Sequence, residues 1–299
     1  MDRSLDPAVI SQLEGLALRA RRVVDGFLAG SHRNPRQGAS IEFSEHREYT
    51  PGDDLRYLDW KAYGRTDRLY LKQFEDETNF SAMLVVDGSG SMAYQGRESS
   101  WSKWECAQVV AAALAWLVIR QGDAAGLAIV GPGLDHWLPP AAMPGQLAPL
   151  LDRLETRQPD GPTQWPAVWD ELVDRLSCRS IVMVVSDLLV DPDTSLRGLA
   201  ALRHAGHDVI VFQILDPAER QFPFRRLTRF RDLEGNRRIL TDPRAVRAAY
   251  RREIAALLKT LQCGCQAAAV DYLLVETNLS LGFALARFLA HRTRAHIWG

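Results

Sequence analysis

Met83-Leu84-Val85-Val86 is a short apolar run that stops at Asp87 and continues as Gly88-Ser89-Gly90-Ser91-Met92. The run is β-branched and too short for a helix, so it predicts a buried strand. Asp87 then stands at the carboxyl end of that strand. Ser89 and Ser91 follow at alternate positions, and Gly88 and Gly90 let the backbone curl. Such a loop can aim three oxygen ligands at one point, which suits a hard cation such as Mg²⁺. The plainer use of the same hydroxyls is to cap the helix that follows.

The chain has 299 residues, 46% of them hydrophobic, enough for one sizeable core and a smaller satellite. A formal net charge of −1 gives no global field for nucleic acid or an anionic membrane. The 4 cysteines do not make a disulfide scaffold. Cys263-Gly264-Cys265 is too tight for ordinary bridge geometry, and no CxxC pair exists for zinc. Free thiols in a reducing compartment are expected. Met1 to Asp6 is polar and no apolar signal region follows, so the expected location is cytoplasmic. Cys106 to Ile119 is the longest greasy stretch and is broken only by Gln108. It is too short to span a membrane and predicts a buried helix.

Along the chain, residues 7–29 carry apolar residues at helical spacing. Strands are predicted at Leu69–Phe74, Ala82–Asp87, Ala124–Gly131, Ile181–Asp187, Asp208–Leu215 and around Cys265–Val275. Helices are predicted at Ser102–Arg120, Pro144–Glu155, Gln164–Leu176, Thr194–Ala205, Pro243–Leu261 and Ser280–Arg292. Apolar strands separated by helices imply a parallel sheet covered on both faces. Asp193 or Thr194 is the expected cap after Pro192, and Gly206 the stop signal. Leu227–Phe230 and Arg237–Leu240 flank Glu234-Gly235-Asn236, so a hairpin is expected there. Its arginines form either an anion- or partner-binding ribbon or a solvated edge that discourages aggregation. His204 and His207 are expected at the surface.

Gly38 to Glu77 carries Glu42-Phe43, Arg47-Glu48-Tyr49, Pro51-Gly52-Asp53-Asp54, Arg56 and Asp59-Trp60-Lys61-Ala62. Followed by Asp87-x-Ser89-x-Ser91-Met92, this order resembles the bacterial domain-of-unknown-function family fifty-eight. The Asp-x-Ser-x-Ser loop resembles the metal-ion-dependent adhesion site of von Willebrand factor type A domains. The resemblance implies an α/β fold with a doubly wound, mostly parallel sheet over residues 81–299. It also implies an appended β-rich subdomain made of residues 1–80, with a hairpin insertion at 218–242 packing on that segment. Physically, the acidic and basic residues around Asp53, Asp54, Arg56 and Asp59 suit either an ion-pair network or a partner surface.

Ligands of an open α/β sheet bind beyond the carboxyl ends of its strands. Thr163, in the loop after Gly161-Pro162, and Asp187, at the end of its strand, can both reach the edge of Asp87. Asp191 is a local rival to Asp187. By resemblance to type A domains, the metal ligands carried over are Asp87, Ser89, Ser91, Thr163 and Asp187. The implied cofactor is a divalent cation, Mg²⁺ first, with Mn²⁺ or Ca²⁺ as alternatives. Two carboxylates and three hydroxyls leave the shell formally neutral, with room for a partner's acid. Kinship further implies two partners, a MoxR-type AAA+ ATPase and an acidic-residue-bearing protein client, with no nucleic acid and no membrane span.

Enzymatic readings fare worse. Gly88-Ser89-Gly90-Ser91-Met92-Ala93 fits a GxGxxA fingerprint, but Asp87 would face the pyrophosphate, and polar Tyr94 to Ser100 follows where a helix should begin. An Asp-x-Asp phosphatase needs a carboxylate where Ser89 stands. GxSxG, HExxH and P-loop motifs are absent. The expectation is a non-enzymatic binding module. A scaffold braced by metal is the alternative, and a metal-dependent hydrolase ranks below both.

Overall fold

The computed structural model describes residues 15–31, 46–48, 70–72, 80–143, 145–235 and 237–278. The Pro51–Asp54 and Asp59–Ala62 block, the predicted helix Ser280–Arg292 and the start of the 7–29 helix lie outside them. Chain contacts define two units, one of residues 33–79 and one of the remainder. In the smaller unit, β1 (His46–Glu48) pairs antiparallel with β2 (Tyr70–Lys72), His46 opposite Lys72.

The larger unit opens with α1 (Leu16–Ser31), then β3 (Ser81–Asp87), a 3₁₀ turn (Gly90–Ala93), α2 (Lys103–Arg120), β4 (Ala124–Val130) and β5 (Leu134–Ala141). It continues with α3 (Leu147–Thr156), α4 (Trp165–Arg175), β6 (Ser180–Ser186), α5 (Pro192–His204) and β7 (Asp208–Leu215). Next come α6 (Pro217–Gln221), β8 (Thr228–Arg231), β9 (Arg238–Thr241), α7 (Pro243–Ala267) and β10 (Asp271–Glu276). The main sheet has the order β10-β7-β6-β3-β4-β5 and is parallel except for β5. The doubly wound, mostly parallel architecture is therefore as expected.

Alternation along β3 divides the core. Leu84 and Val86 face α1, α2 and α3, and Met83 and Val85 face α4, α5 and α7. α2 is apolar on nearly every side from Cys106 to Ala115 and so must be covered all round. α1 supplies part of that cover through Leu16, Ala20 and Val24. The N-terminal helix thus belongs to the core of the sheet rather than to an appended segment ending at residue 80.

Several boundaries differ from expectation. β5 was not foreseen because Pro139 and Pro140 interrupt it, and an antiparallel edge is where a sheet accommodates proline. α7 runs on to Ala267, so Cys263 and Cys265 are helical and the last strand starts at Asp271. The cap of α5 is Asp191, whose carboxylate accepts from the Thr194 N–H at 3.1 Å; Asp193 and Thr194 lie inside the first turn. Pro192 fits the first helical position because its missing N–H has no helical partner to lose. His207 is buried, not at the surface, and its Nδ1 accepts from the Ser180 N–H at 3.2 Å. Among the described residues no helix is long and apolar enough to cross a membrane.

Gly198 of α5 lies against Trp169, which stacks on Trp165 with ring centroids 4.5 Å apart. A Cβ at Gly198 would stand 2.1 Å from the Trp169 ring, whereas one at Gly133 would meet nothing within 4 Å. Gly198→Ala is expected to cost about 1–3 kcal/mol by overpacking, with Gly133→Ala as the near-neutral control. Urea denaturation measures both, as a lower midpoint at unchanged slope for the first.

Candidate metal centre

After β3 the chain winds one way to β4 and later returns to lay β6 on the other side of β3. The two connections diverge there and leave a crevice at the carboxyl ends of the strands. Asp87 ends β3 and Ser186 ends β6, with Asp187 the first residue beyond it. Asp87 Oδ2 accepts from Ser186 Oγ at 2.5 Å, and Oδ1 accepts from Thr163 Oγ1 and from the Ser89 N–H, both at 2.9 Å. Ser89 Oγ pairs with Ser91 Oγ at 3.0 Å, and Ser91 Oγ donates to Asp187 Oδ2 at 2.6 Å. All of the expected ligand residues, Asp87, Ser89, Ser91, Thr163 and Asp187, meet here. Asp191, the rival, is occupied in capping α5.

Backbone bonds lock the loops together. The Gly88 N–H donates to Val130 O at 2.8 Å, Asp160 N–H to Gly88 O at 3.0 Å, and Gly90 N–H to Gly161 O at 2.7 Å. Gly161 holds φ at +66°, a conformation that favours glycine, and so turns the loop that delivers Thr163. Leu188 also has a positive φ, 48°, and it is buried. That conformation is costly for a branched residue. It is held by the Leu188 N–H bond to Ser186 Oγ at 3.0 Å, while Gln213 Nε2 donates to Asp187 O at 2.6 Å.

Asp87 and Asp187 are only 1% and 3% exposed. Burial, and then the charge of Asp187, push the Asp87 carboxyl up to about 6, against the bonds from Ser186, the Ser89 N–H and Thr163. The crevice is thus short of positive charge. Lys103, fully buried at the first position of α2, supplies some. Its Nζ lies 2.7 Å from Asp187 Oδ2 and 2.6 Å from Glu219 Oε1. Burial pulls the ammonium pKa down, but Asp187 and Glu219 outweigh that and hold it above the ordinary lysine range. Burial pushes Glu219 up, offset in part by Lys103. Asp87, Asp187 and Glu219 against Lys103 leave a charge of −2, which one divalent cation neutralises.

The donor set fits such an ion. Neighbouring oxygens around an octahedral ion with bonds of 2.0–2.1 Å stand about 2.9 Å apart. The spacings here between Thr163 and Asp87, Ser89 and Ser91, and Ser91 and Asp187 run from 2.6 to 3.0 Å, the length of the hydrogen bonds that join them and one that also accommodates such an ion. Ser91 and Thr163 remain partly exposed, so the crevice reaches solvent. Its border also meets the β8–β9 hairpin: a Cβ on Gly90 would stand 2.2 Å from the Leu233 carbonyl oxygen.

Lys103, Ser186 and Glu219 escaped the sequence reading. Lys103 carried one signal, since a cation on the first turn of a helix opposes the helix dipole and needs an acid nearby. Ser186 sits one residue from Asp187 but follows no spacing rule. Glu219 lies in α6, which is too short to show a period. The segment leading into Lys103 is held by buried Asp216, which accepts from the Gly96 N–H at 2.8 Å and from Thr277 Oγ1 at 3.1 Å.

The chain matches the family described as Protein of unknown function DUF58 over residues 45–259. The uncharacterized protein Rv1480 of Mycobacterium tuberculosis is 27% identical over 98% of this chain and 93% of its own length. Among solved structures, the conserved hypothetical protein BatB of Bacteroides thetaiotaomicron is similar with a TM-score of 0.48 and 15% identity, covering 72% of this chain and 99% of that one. The SpRpn10 VWA domain is similar with a TM-score of 0.40 and 11% identity, covering 70% and 94%.

Two outcomes follow for the chelated protein. Lys103→Met leaves Asp187 and Glu219 buried without their cation and is expected to cost about 3–5 kcal/mol in urea denaturation. Asp87 titrates near 6 when folded, against 3.8 for an ordinary carboxyl, so folding takes up a proton between those values. A raised carboxyl is unfavourable when ionised, so its penalty is full above the folded pKa and is relieved as pH falls. Relative to Asp87→Asn, thermal melts of the chelated protein should show stability gained as pH falls through about 6 towards about 4.

Proposed function

The chain belongs to the DUF58 family, and from that membership and the geometry of the crevice we propose that it is a non-enzymatic, metal-dependent protein-binding module. One observation carries this reading. Hydroxyls and carboxylates from three connections converge on a buried crevice that lacks one divalent charge. Asp87, Ser89, Ser91, Thr163 and Asp187 would hold the ion, with Mg²⁺ preferred to Mn²⁺ or Ca²⁺. Bound there, the ion supplies a Lewis-acidic position for an oxygen anion. An Asp or Glu of a client protein is the anion we assign to it.

Two of the described histidines support a non-catalytic role by their placement. His204 and His207 lie before β7, at the amino-terminal end of the parallel strands and so away from Ser89 and Ser91, whereas His136 lies on β5 opposite Ile129, two strands from β3. Asp187, the acceptor of the Ser91 hydroxyl, is tied to Lys103. The four free cysteines support a cytoplasmic location. Kinship alone supports the further reading of an adaptor working beside a MoxR-type AAA+ ATPase, presenting the client for remodelling.

The interlocked loops favour a second reading, in which the ion only braces the rim. Calorimetric titration of Mg²⁺ or Mn²⁺ into wild type and Asp87→Ala tests the metal: heat in the first and none in the second is expected, and equal heats overturn the proposal. Capture of the ATPase or client with and without chelator separates the two readings. Loss of capture marks a binding site, and a lowered melting temperature with capture unchanged marks a brace.

A further inference from the structure

The β8–β9 ribbon is anchored on one face through Phe230, beside which Ile239 stays 62% exposed, and its other face is bare. Phe230 packs on Phe222 and Phe224 with centroids 5.4 and 5.1 Å away, and Phe222 packs on Tyr250 of α7 at 4.4 Å. Directly opposite residues of an antiparallel pair share a face. Arg229 stands opposite Leu240 and Arg231 opposite Arg238, so these four form the face turned away from Phe230. All four are exposed, Leu240 to 60%. None of these arginines has an ion-pair partner among the described residues.

Placing Arg231 directly across from Arg238 is unfavourable, since like charges opposite one another destabilise a strand pair. The cost is local to this face, because the whole chain carries a net charge of only −1. A solvated edge needs charge, but it does not need two like charges in register beside an exposed leucine. An anionic partner would relieve the repulsion and cover the leucine at once.

The position of the face says which anion. The turn that joins the strands rests its Leu233 carbonyl on Gly90, inside the Asp87 loop. Arg231 is two residues from Leu233, on the order of 7 Å of extended chain. The strand that carries Arg229 and Arg231 therefore ends close to the crevice, with Asp232 and Glu234 on either side of Leu233 in the turn. We propose that Arg229, Arg231, Arg238 and Leu240 form the second half of the client-binding surface, taking an acidic protein segment that also bears an apolar side chain. One carboxylate of the segment reaches the crevice and its neighbours meet the arginines. This rests on the metal-dependent reading above for its first half only. A protein segment is favoured over nucleic acid because three arginines flank one aliphatic side chain, with no stacking aromatic on that face.

The probe is a short fluorescein-labelled peptide alternating Glu and Leu, followed by fluorescence anisotropy in magnesium buffer. A Lys-Leu peptide, a single-stranded oligonucleotide and phosphatidylserine vesicles serve as comparators. Wild type should bind the acidic peptide in preference to all three. The Arg229→Gln, Arg231→Gln, Arg238→Gln triple variant should bind it about tenfold more weakly, with the calorimetric Mg²⁺ heat of wild type intact. Equal affinity in the triple variant, no binding by wild type, or equal binding of oligonucleotide or vesicles overturns the proposal. Absence of Mg²⁺ heat in wild type overturns the metal reading separately. Arginine-dependent peptide binding in that case shows an anion surface acting alone and overturns the joint surface.

Discussion

Two carboxylates buried at the ends of adjacent strands govern this structure. Asp87 and Asp187 are almost wholly shielded from water, and the charge of Asp187 adds to the cost of ionising Asp87. In a low-dielectric crevice such a pair must be neutralised by protons, by hydrogen bonds or by a cation. The chain uses hydrogen bonds for Asp87, from Ser186, Thr163 and the Ser89 N–H, and a lysine for Asp187. Much of the surrounding architecture serves those bonds. β6 must lie beside β3 to bring Ser186 within reach, and α2 must begin at Lys103.

The sheet and its chemistry were unequally visible in the sequence. β3, β4, β6 and β7 are apolar on both faces, and that alone announces a covered parallel sheet. The Asp87 loop was legible because Asp-x-Ser-x-Ser is local: one stretch of chain carries its own spacing. Thr163 and Asp187 were reachable only through strand ends and resemblance to type A domains. Lys103 and Glu219 could not be paired in advance, since 116 residues separate them and neither stands in a spaced motif. β5 was missed because proline usually argues against a strand, and only the sheet order shows that this one lies at an edge.

Lys103 also changes how the crevice is understood. The five candidate residues alone carry a charge that one divalent ion would neutralise, and that balance is kept because Glu219 cancels the charge that Lys103 adds. The ammonium takes one lone-pair direction of Asp187 and fixes that carboxylate in place. A bound ion would then meet a preorganised acid rather than a mobile one, which lowers the ordering cost of binding.

Glu219 ties this electrostatic cluster to the ribbon. It lies on α6, which ends at Phe222 in a left-handed conformation, φ 50°, and Phe222 anchors Phe230 of β8. The ribbon is thus fixed to the crevice at two places, at its root through Glu219 and Lys103 and at its turn through Leu233 and Gly90. A two-stranded hairpin on its own is marginal in water. Here aromatic packing beneath it and the two attachments supply the rigidity that its short strands lack. The arginine face is consequently held at a set distance from the carboxylates, and an element so held beside a charged crevice is suited to recognition more than to shielding an edge.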